Sequence, residues 1–510
     1  MQAAKEINIK LLMITTLIIS GCSIIYEVLI SSVSSYLVGD SIKQFSITIG
    51  LYMSSMGIGS YISKYIKKTL FNWFIFVEIS IGVLGGMSSL ILFMSHVYIV
   101  SYALVMYIQI IIIGILVGLE IPLLTRIVEK DNQNLRITIS NIFTFDYIGG
   151  LVGSIAFPLL LLPKLGYFTT SFLTGALNII VAIVIIYSHE GYIKKVHIYK
   201  LISIIAFSLM IIGAIFSENI ATGVENKLYR DKVILSKQTK YQKIVITKHK
   251  DDLRLFINGN IQFSSTDEYR YHESLIHVPM SACDTKKNIL ILGGGDGLAA
   301  REVLKYTDVE NITLVDLDEE MVKLCKTNKD IVKLNNNSLS NKKMNLVYED
   351  AFTYLQKSEE AFDMILVDLP DPNDESLNKL YTNIFYRLCK NHLTDTGVMV
   401  VQSTSPYYAK EAFWCINKTL ESEDFNVYPY HLEVPSFGDW GFQLASKKSI
   451  DIKALNINIG DAKFINTEIL SRIFTFSEDE KVDKNKLKTN TISSPQLLTY
   501  YLKAVEKWEQ

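Results

Sequence analysis

Five aspartates in one half of the chain could share a single chemical task. Asp296 stands inside the turn Gly293-Gly294-Gly295-Asp296-Gly297, which follows the apolar run "ILIL" and leads into a helical stretch. Such turns usually offer bare backbone N–H groups to an anion, so a carboxylate there is the wrong charge for a phosphate. Asp316 ends "LVD" about 20 residues on, where an acid can grip ribose hydroxyls. Asp350 precedes Ala351 after a third apolar run, and "VDLPDP" supplies Asp368 and Asp371. Clustered carboxylates repel and raise one another's pKa, so the set calls for a cation. No histidine or cysteine joins them at ligand spacing, and magnesium would favour fewer carboxylates with substrate phosphates. No metal is expected. An organic polycation fits better, and Asp296 is expected to face an ammonium. For Asp318 and Asp350 taken singly, a helix N-cap is an equal alternative.

The elements that must hold these residues follow a regular βα alternation. Strands are expected at 288–293, 312–317, 344–350, 362–369 and 397–403, with helices between them. That pattern implies a doubly wound parallel sheet whose ligands bind beyond the carboxyl ends of the strands, where the aspartates lie. Gly295, Gly297 and Ala300 satisfy GxGxxA, a weak signal alone. Ahead of it, "YQKIVITKHK", "DDLRLFING" and "NIQFS" alternate as a small antiparallel β subdomain would.

The other half is of a different kind. Hydrophobic residues make up 49% of the 510-residue chain, and they concentrate in residues 11 to 217. Membrane spans are expected near 11–35, 43–63, 71–95, 98–122, 141–163, 167–188 and 199–217. "KLLMITTLIISGC" resembles a lipoprotein signal ending at Cys22, but apolar sequence resumes at once, as in a first membrane helix. Lys5/Lys10, Lys64/Lys67/Lys68, Arg126/Lys130/Arg136 and Lys194/Lys195/Lys200 alternate with nearly uncharged loops, which places the N-terminus in the cytoplasm. Seven spans would then export the C-terminal half. Glu27, Glu78, Glu120 and Asp146 fall inside expected spans, where charge is expensive. The five scattered cysteines suggest neither disulfides nor zinc, and no basic run suggests nucleic acid.

From about 229 to 446 the chain resembles the polyamine aminopropyltransferases, particularly the spermidine synthases. The residues carrying the resemblance are "YQKIVI", "INGNIQFSSTDEYRYHE", "ILILGGGDGLAAREVLKY", "TLVDLDEEMV", "EDAFTYL" and "ILVDLPDP", in that order. The membrane half and "PSFGDWGF" resemble the membrane-bound bacterial branch. The resemblance implies aminopropyl transfer from decarboxylated S-adenosylmethionine, a co-substrate rather than a resident cofactor, to putrescine. It implies that Gln242 contacts the thioadenosine, that His272 and Asp296 contact the aminopropyl arm, and that Tyr271 lines the amine channel. Asp316 would hold the ribose, although the family usually has glutamate there. Asp350 and Ala351 would border the adenine, Asp368 would accept the proton, and Asp371 would complete the amine site. Two departures bear on acceptor choice: "NDESLNKLY" replaces the small residues and proline usual after DxxDP, and Phe437 replaces a common tyrosine.

The expected architecture is an all-α multi-pass membrane domain (1–217, about seven spans), a linker and small β subdomain (218–280), a Rossmann-like, class I methyltransferase-like aminopropyltransferase domain (281–450), and a helical tail (451–510). The chain would sit in the cell membrane with its catalytic part in the cytoplasm, because the donor is made there; a homo-oligomer is allowed. The rivals are a methyltransferase using intact S-adenosylmethionine, whose carboxylate Asp296 would repel, and a polyamine transporter or sensor.

Overall fold

The computed structural model describes residues 7–39, 41–99, 101–129, 135–229 and 231–508. Lys5 and Lys130, counted among the loop charges, lie outside these. The chain divides into two compact units, 1–233 and 234–510.

The first unit is helical: α1 (Ile9–Val38), α2 (Ser41–Ser63), α3 (Leu70–Gly86), α4 (Ser88–Tyr98), α5 (Tyr102–Glu129), α6 (Leu135–Ala156), α7 (Leu162–Ser188), α8 (Val196–Ile215) and α9 (Ser217–Leu228). Among the described residues, four helical runs are long and apolar enough to cross a membrane, or five counting the bent pair α3–α4, fewer than the seven expected. That pair turns by 44° at Met87, where Gly85 and Gly86 meet Ser88 and Ser89. Glycine and serine pairs are a usual cause of such kinks. The run Arg136–Ser188 has 53 residues, which straight would extend about 80 Å, over twice an apolar bilayer core. It is broken at Gly166, whose φ is 69°. Helix α2 is less apolar because it packs through small residues. Added Cβ atoms at Gly59 and Gly118 would strike the carbonyls of Ile115 and Met56, so the two backbones of α2 and α5 touch. Of the four acids expected in spans, Glu78 and Glu120 are buried. The Asn178 amide donates to Glu78 at 2.8 Å, and the Ser23 hydroxyl lies 3.5 Å from Glu120.

The second unit begins with a four-stranded sheet of β1 (Lys232–Gln238), β2 (Lys243–His249), β3 (Asp252–Ile257) and β4 (Asn260–Ser264), β1 starting two residues upstream of the boundary. Helix α10 (Glu268–Ala282) leads from it to a seven-stranded sheet. This contains β5 (Asn288–Gly293), β6 (Asn311–Asp316), β7 (Met344–Tyr348), β8 (Phe362–Asp368), β9 (Leu393–Gln402), β10 (Asn426–Val434) and β11 (Gly438–Ser446). The order is β10-β11-β9-β8-β5-β6-β7. The first five strands are parallel, as expected. Strand β5 is buried on both faces: Ile289 and Ile291 join one apolar core, Leu290 and Leu292 the other. That is why its sequence is an unbroken apolar run.

The hairpin β10–β11 was not expected, and it makes the sheet mixed rather than purely parallel. Pro429 argues against a strand inside a sheet, but β10 is an edge strand, where proline is tolerated. The expected helical tail is helical at length only over Gln496–Trp508; between 451 and 495 it forms single turns.

Candidate active site

Strands β5 and β8 end side by side, with Gly293 paired to Asp368. Gly293 has φ 85°, and a Cβ there would strike the Asp368 carbonyl, so the glycine turn closes directly against the end of β8. The Gly294 N–H donates to that carbonyl at 3.2 Å. Within the turn the buried Asp296 accepts from the Leu298 N–H at 2.8 Å, and its own carbonyl accepts from Asn335 Nδ2 at 2.8 Å. The carboxylate is thus held at the start of α11 (Leu298–Val303).

Helix α10 delivers two further side chains. The Tyr271 hydroxyl donates to Asp368 Oδ1 at 2.6 Å, and its ring meets Phe437 edge-on at 5.9 Å. His272 Nδ1 lies 2.9 Å from Glu268 Oε2 and 2.8 Å from the Glu268 carbonyl. Arg301 clamps Glu268 with both terminal nitrogens, at 2.7 and 2.9 Å. Burial alone would strip the proton from His272. Glu268, with Asp296 and Asp368 behind it, outweighs that and lifts its pKa to about 9, so a fixed imidazolium sits among the carboxylates. Burial pushes Asp368 up to about 6 against the pull of His272 and of the Tyr271 hydroxyl, with Asp296 adding repulsion. Asp296 is raised by burial too, tempered by His272 and the Leu298 N–H.

Asp316 closes β6 and accepts from the Asp318 N–H at 2.8 Å. Burial lifts it to about 6. A Cβ on Gly295 would strike Asp316 Oδ2, so the glycine turn and the second strand end touch. Gln242, from the β1–β2 turn, donates to Asp318 Oδ2 at 2.9 Å. Asp318 also caps the helix Glu319–Thr327. Asp350 caps the helix Ala351–Lys357 through the Thr353 N–H at 3.0 Å and pairs with Lys379 at 2.7 Å. Burial raises its pKa, but Lys379 and Thr353 hold it below the usual range. It is engaged at its own cap, with Ala351 buried beside it.

Asp371 is surrounded by neutral donors. Gln402 Nε2 lies 3.4 Å from Oδ1; the Thr404 and Tyr501 hydroxyls lie 3.2 and 3.1 Å from Oδ2. Burial lifts its pKa to about 6. Gln402 and Tyr501 lie outside the motifs and act through Asp371, while Glu268 and Arg301 lie within motifs but act through His272, so their spacing alone did not single them out. "NDESLNKLY" folds as a short helix capped by Asp374 followed by a turn, and Tyr381 at its end donates to the carbonyls of Leu369 and Pro370.

Two histidines without a partner assignable from sequence prove to be paired. His277 bridges Tyr306 and Glu302, at 2.9 and 3.0 Å. His431 has Asp439 at 2.7 Å on one nitrogen and the Thr475 carbonyl at 2.8 Å on the other. His431, Asp439 and Glu480 bring ligand-type atoms within 4.8 Å of one another. An imidazolium donating from both nitrogens accounts for that cluster.

The spermine/spermidine synthase domain family matches residues 268–454. Over 490 residues the chain is 43% identical to a polyamine aminopropyltransferase of Leptospira interrogans, covering 96% of this chain and 97% of that one. It is 40% identical to a polyamine aminopropyltransferase of Oceanobacillus iheyensis, covering 96% of both. A crystal structure of spermidine synthase from Thermotoga maritima is 28% identical over 48% of this chain and 84% of its own, with a TM-score of 0.43. Relatedness that runs the full length of both chains, helical unit included, places this chain in the polyamine aminopropyltransferase family.

Proposed function

We infer that this chain transfers an aminopropyl group from decarboxylated S-adenosylmethionine to putrescine, giving spermidine and methylthioadenosine. The observation that carries the reading is the set of acids at adjoining strand ends, Asp296, Asp316, Asp368 and Asp371, all raised by burial. Such a site is costly when empty and is relieved by a bound polycation.

In the reaction the amine lone pair attacks the carbon next to the sulfonium in line. The C–N bond forms as the C–S bond breaks, and the C–S electron pair stays on sulfur as the thioether leaves. Putrescine is doubly protonated at neutral pH, so the attacking nitrogen must first lose a proton. Asp368 accepts it; a base with a pKa about 6 is ionised at neutral pH yet still worth protonating. Tyr271 orients that carboxylate. Asp296 receives the donor's ammonium and repels the carboxylate of intact S-adenosylmethionine, which disfavours the methyltransferase reading. His272 keeps the acid-rich site from carrying its full negative charge. Asp316 holds the ribose, Gln242 positions the thioadenosine side through Asp318, and Asp350 with Ala351 borders the adenine. Asp371 receives the distal ammonium. Holding both reactants in line supplies much of the rate.

The first unit is read as a multi-pass anchor in the cell membrane. Its outer surface presents Ile49, Met53, Leu104, Ile155 and Leu209 to the surroundings, and of α8 only Ser203, Ala206 and Met210 are buried. An apolar surface of that extent suits lipid rather than water. The catalytic unit is assigned to the cytoplasm, where the donor is made. Incubating the detergent-purified chain with putrescine and either decarboxylated or intact donor tests the reading. Spermidine and methylthioadenosine should form with the first only; methyl transfer from intact donor, or binding of polyamine without turnover, would overturn it.

A further inference from the structure

We propose that Tyr501, on the last helix of the chain, is a positioning residue for the acceptor: its hydroxyl fixes the Asp371 carboxylate that receives the ammonium farther from the reacting nitrogen. The inference rests on the aminopropyl-transfer reading and adds to it a residue far from the motifs in sequence.

Asp371 takes its hydrogen bonds from an amide and two hydroxyls, and among the described residues no lysine or arginine pairs with it. Neutral donors can hold a carboxylate in place without cancelling its charge, which stays available to a substrate ammonium. A basic side chain at the position of Tyr501 would compete with that ammonium. Thr404 and Tyr501 share Oδ2, so losing the phenol would leave this oxygen one donor and let the carboxylate turn.

The helix Gln496–Trp508 is fastened at both ends independently of this contact. Leu497 is buried, and its N–H donates to Asn490 Oδ1 at 3.2 Å. Asn490 in turn donates to the Tyr381 carbonyl at 3.0 Å, and the Tyr381 hydroxyl holds the carbonyls of Leu369 and Pro370, between the two acids of the motif. At the far end Trp508 Nε1 donates to the Tyr408 carbonyl at 3.0 Å, with its ring 5.0 Å from that of Tyr408. The helix is thereby tied to the loop that carries Asp371, and Tyr501 places one hydroxyl on that acid.

Tyr501→Phe keeps the ring and removes only the hydroxyl. In the full chain in detergent, the putrescine KM should rise about tenfold, the order expected for losing a hydrogen bond to a charged group. Turnover at saturation and the donor KM should stay within about twofold. Calorimetric binding of putrescine to the protein loaded with methylthioadenosine should weaken by the same factor. Tyr500→Phe, on the same helix, is the control; its hydroxyl accepts from the N–H of Lys488, which precedes that helix, and acceptor affinity should not change. An unchanged putrescine affinity in Tyr501→Phe, or equal losses for donor and acceptor, would overturn the proposal. A wild-type chain that binds putrescine but never transfers to it would sink the activity reading instead, leaving the ratio of binding constants to decide this one.

Discussion

The Tyr271 hydroxyl donates to Oδ1 of Asp368 across 2.6 Å, tying the proposed proton acceptor to the helix that also carries His272. A hydrogen bond to the ionised form lowers the pKa of an acid. Tyr271→Phe should therefore move the acid limb of kcat/KM for putrescine, set by Asp368 near pH 6, to higher pH. Asp368→Asn should lower kcat by roughly 10²- to 10⁴-fold, the usual worth of a general base. Methylthioadenosine binding should persist in both variants. Turnover near wild type in Asp368→Asn would assign the proton to another group.

Asp296 occupies a turn built for anions and is raised in pKa by its burial. Asp296→Asn should weaken binding of decarboxylated donor by about tenfold or more while admitting intact S-adenosylmethionine better, since a repulsion worth several kcal/mol disappears. Competition of each nucleoside against methylthioadenosine measures both effects. Equal losses for the two would make Asp296 a structural residue.

Gly295 is required by its contact with Asp316 Oδ2 rather than by its φ. Gly295→Ala should push that carboxylate aside and raise the donor KM by roughly tenfold, with the putrescine KM unaffected. An unchanged donor KM would separate Asp316 from ribose binding.

Much of this site was legible because a parallel sheet translates sequence into place. Apolar runs mark the buried strands, and residues just past their carboxyl ends converge by topology, which brought Asp296, Asp316 and Asp368 to one edge. The hairpin β10–β11 was hidden because Pro429 and His431 break its pattern, and only its place at the sheet edge makes them tolerable. Tyr501 was hidden for another reason: 130 residues separate it from Asp371, and nothing in "LLTYYLKAVEKW" says which face of that helix meets the site. Asp350 shows the converse limit, since its motif position is plain yet its carboxylate is spent on a cap and on Lys379.

Loop charges with seven spans would export the catalytic unit, whereas the cytoplasmic assignment proposed above follows the site of donor synthesis. The second argument carries more weight, because the α3–α4 bend leaves the number of crossings sensitive to a single segment. A cysteine introduced at Lys448 should escape a membrane-impermeant thiol reagent in intact cells and react after permeabilisation. Labelling in intact cells would reverse the orientation.

The raised acids also set a pH dependence of stability opposite to that of activity. Asp316, Asp368 and Asp371 titrate near 6 in the folded chain against about 4 when unfolded, so the folded state binds their protons more tightly. Their stabilising contribution is complete below the unfolded value and is lost as pH rises through about 6. His272, lifted to about 9, contributes below its unfolded value near 6.5 and loses that contribution as pH rises through about 9. Glu268 and Asp350 are depressed, so their contribution is present above the unfolded carboxylate range and fades only below it. Between pH 7 and 5.5 these terms therefore combine to stabilise the ligand-free second unit, by up to about 1 kcal/mol per raised acid. Turnover should fall across the same interval as Asp368 is protonated. Tryptophan fluorescence can follow the unfolding, because Trp414, Trp440 and Trp508 lie in this unit and only Trp73 lies outside it. Asp371→Asn should raise the Tm at pH 7 and shrink the gain on acidification, since its carboxamide cannot ionise. A Tm that drops steadily from pH 7 to 5.5 in the wild-type chain would mean that these carboxylates are solvated in the free enzyme and that the site is not under the electrostatic load that a polycation relieves.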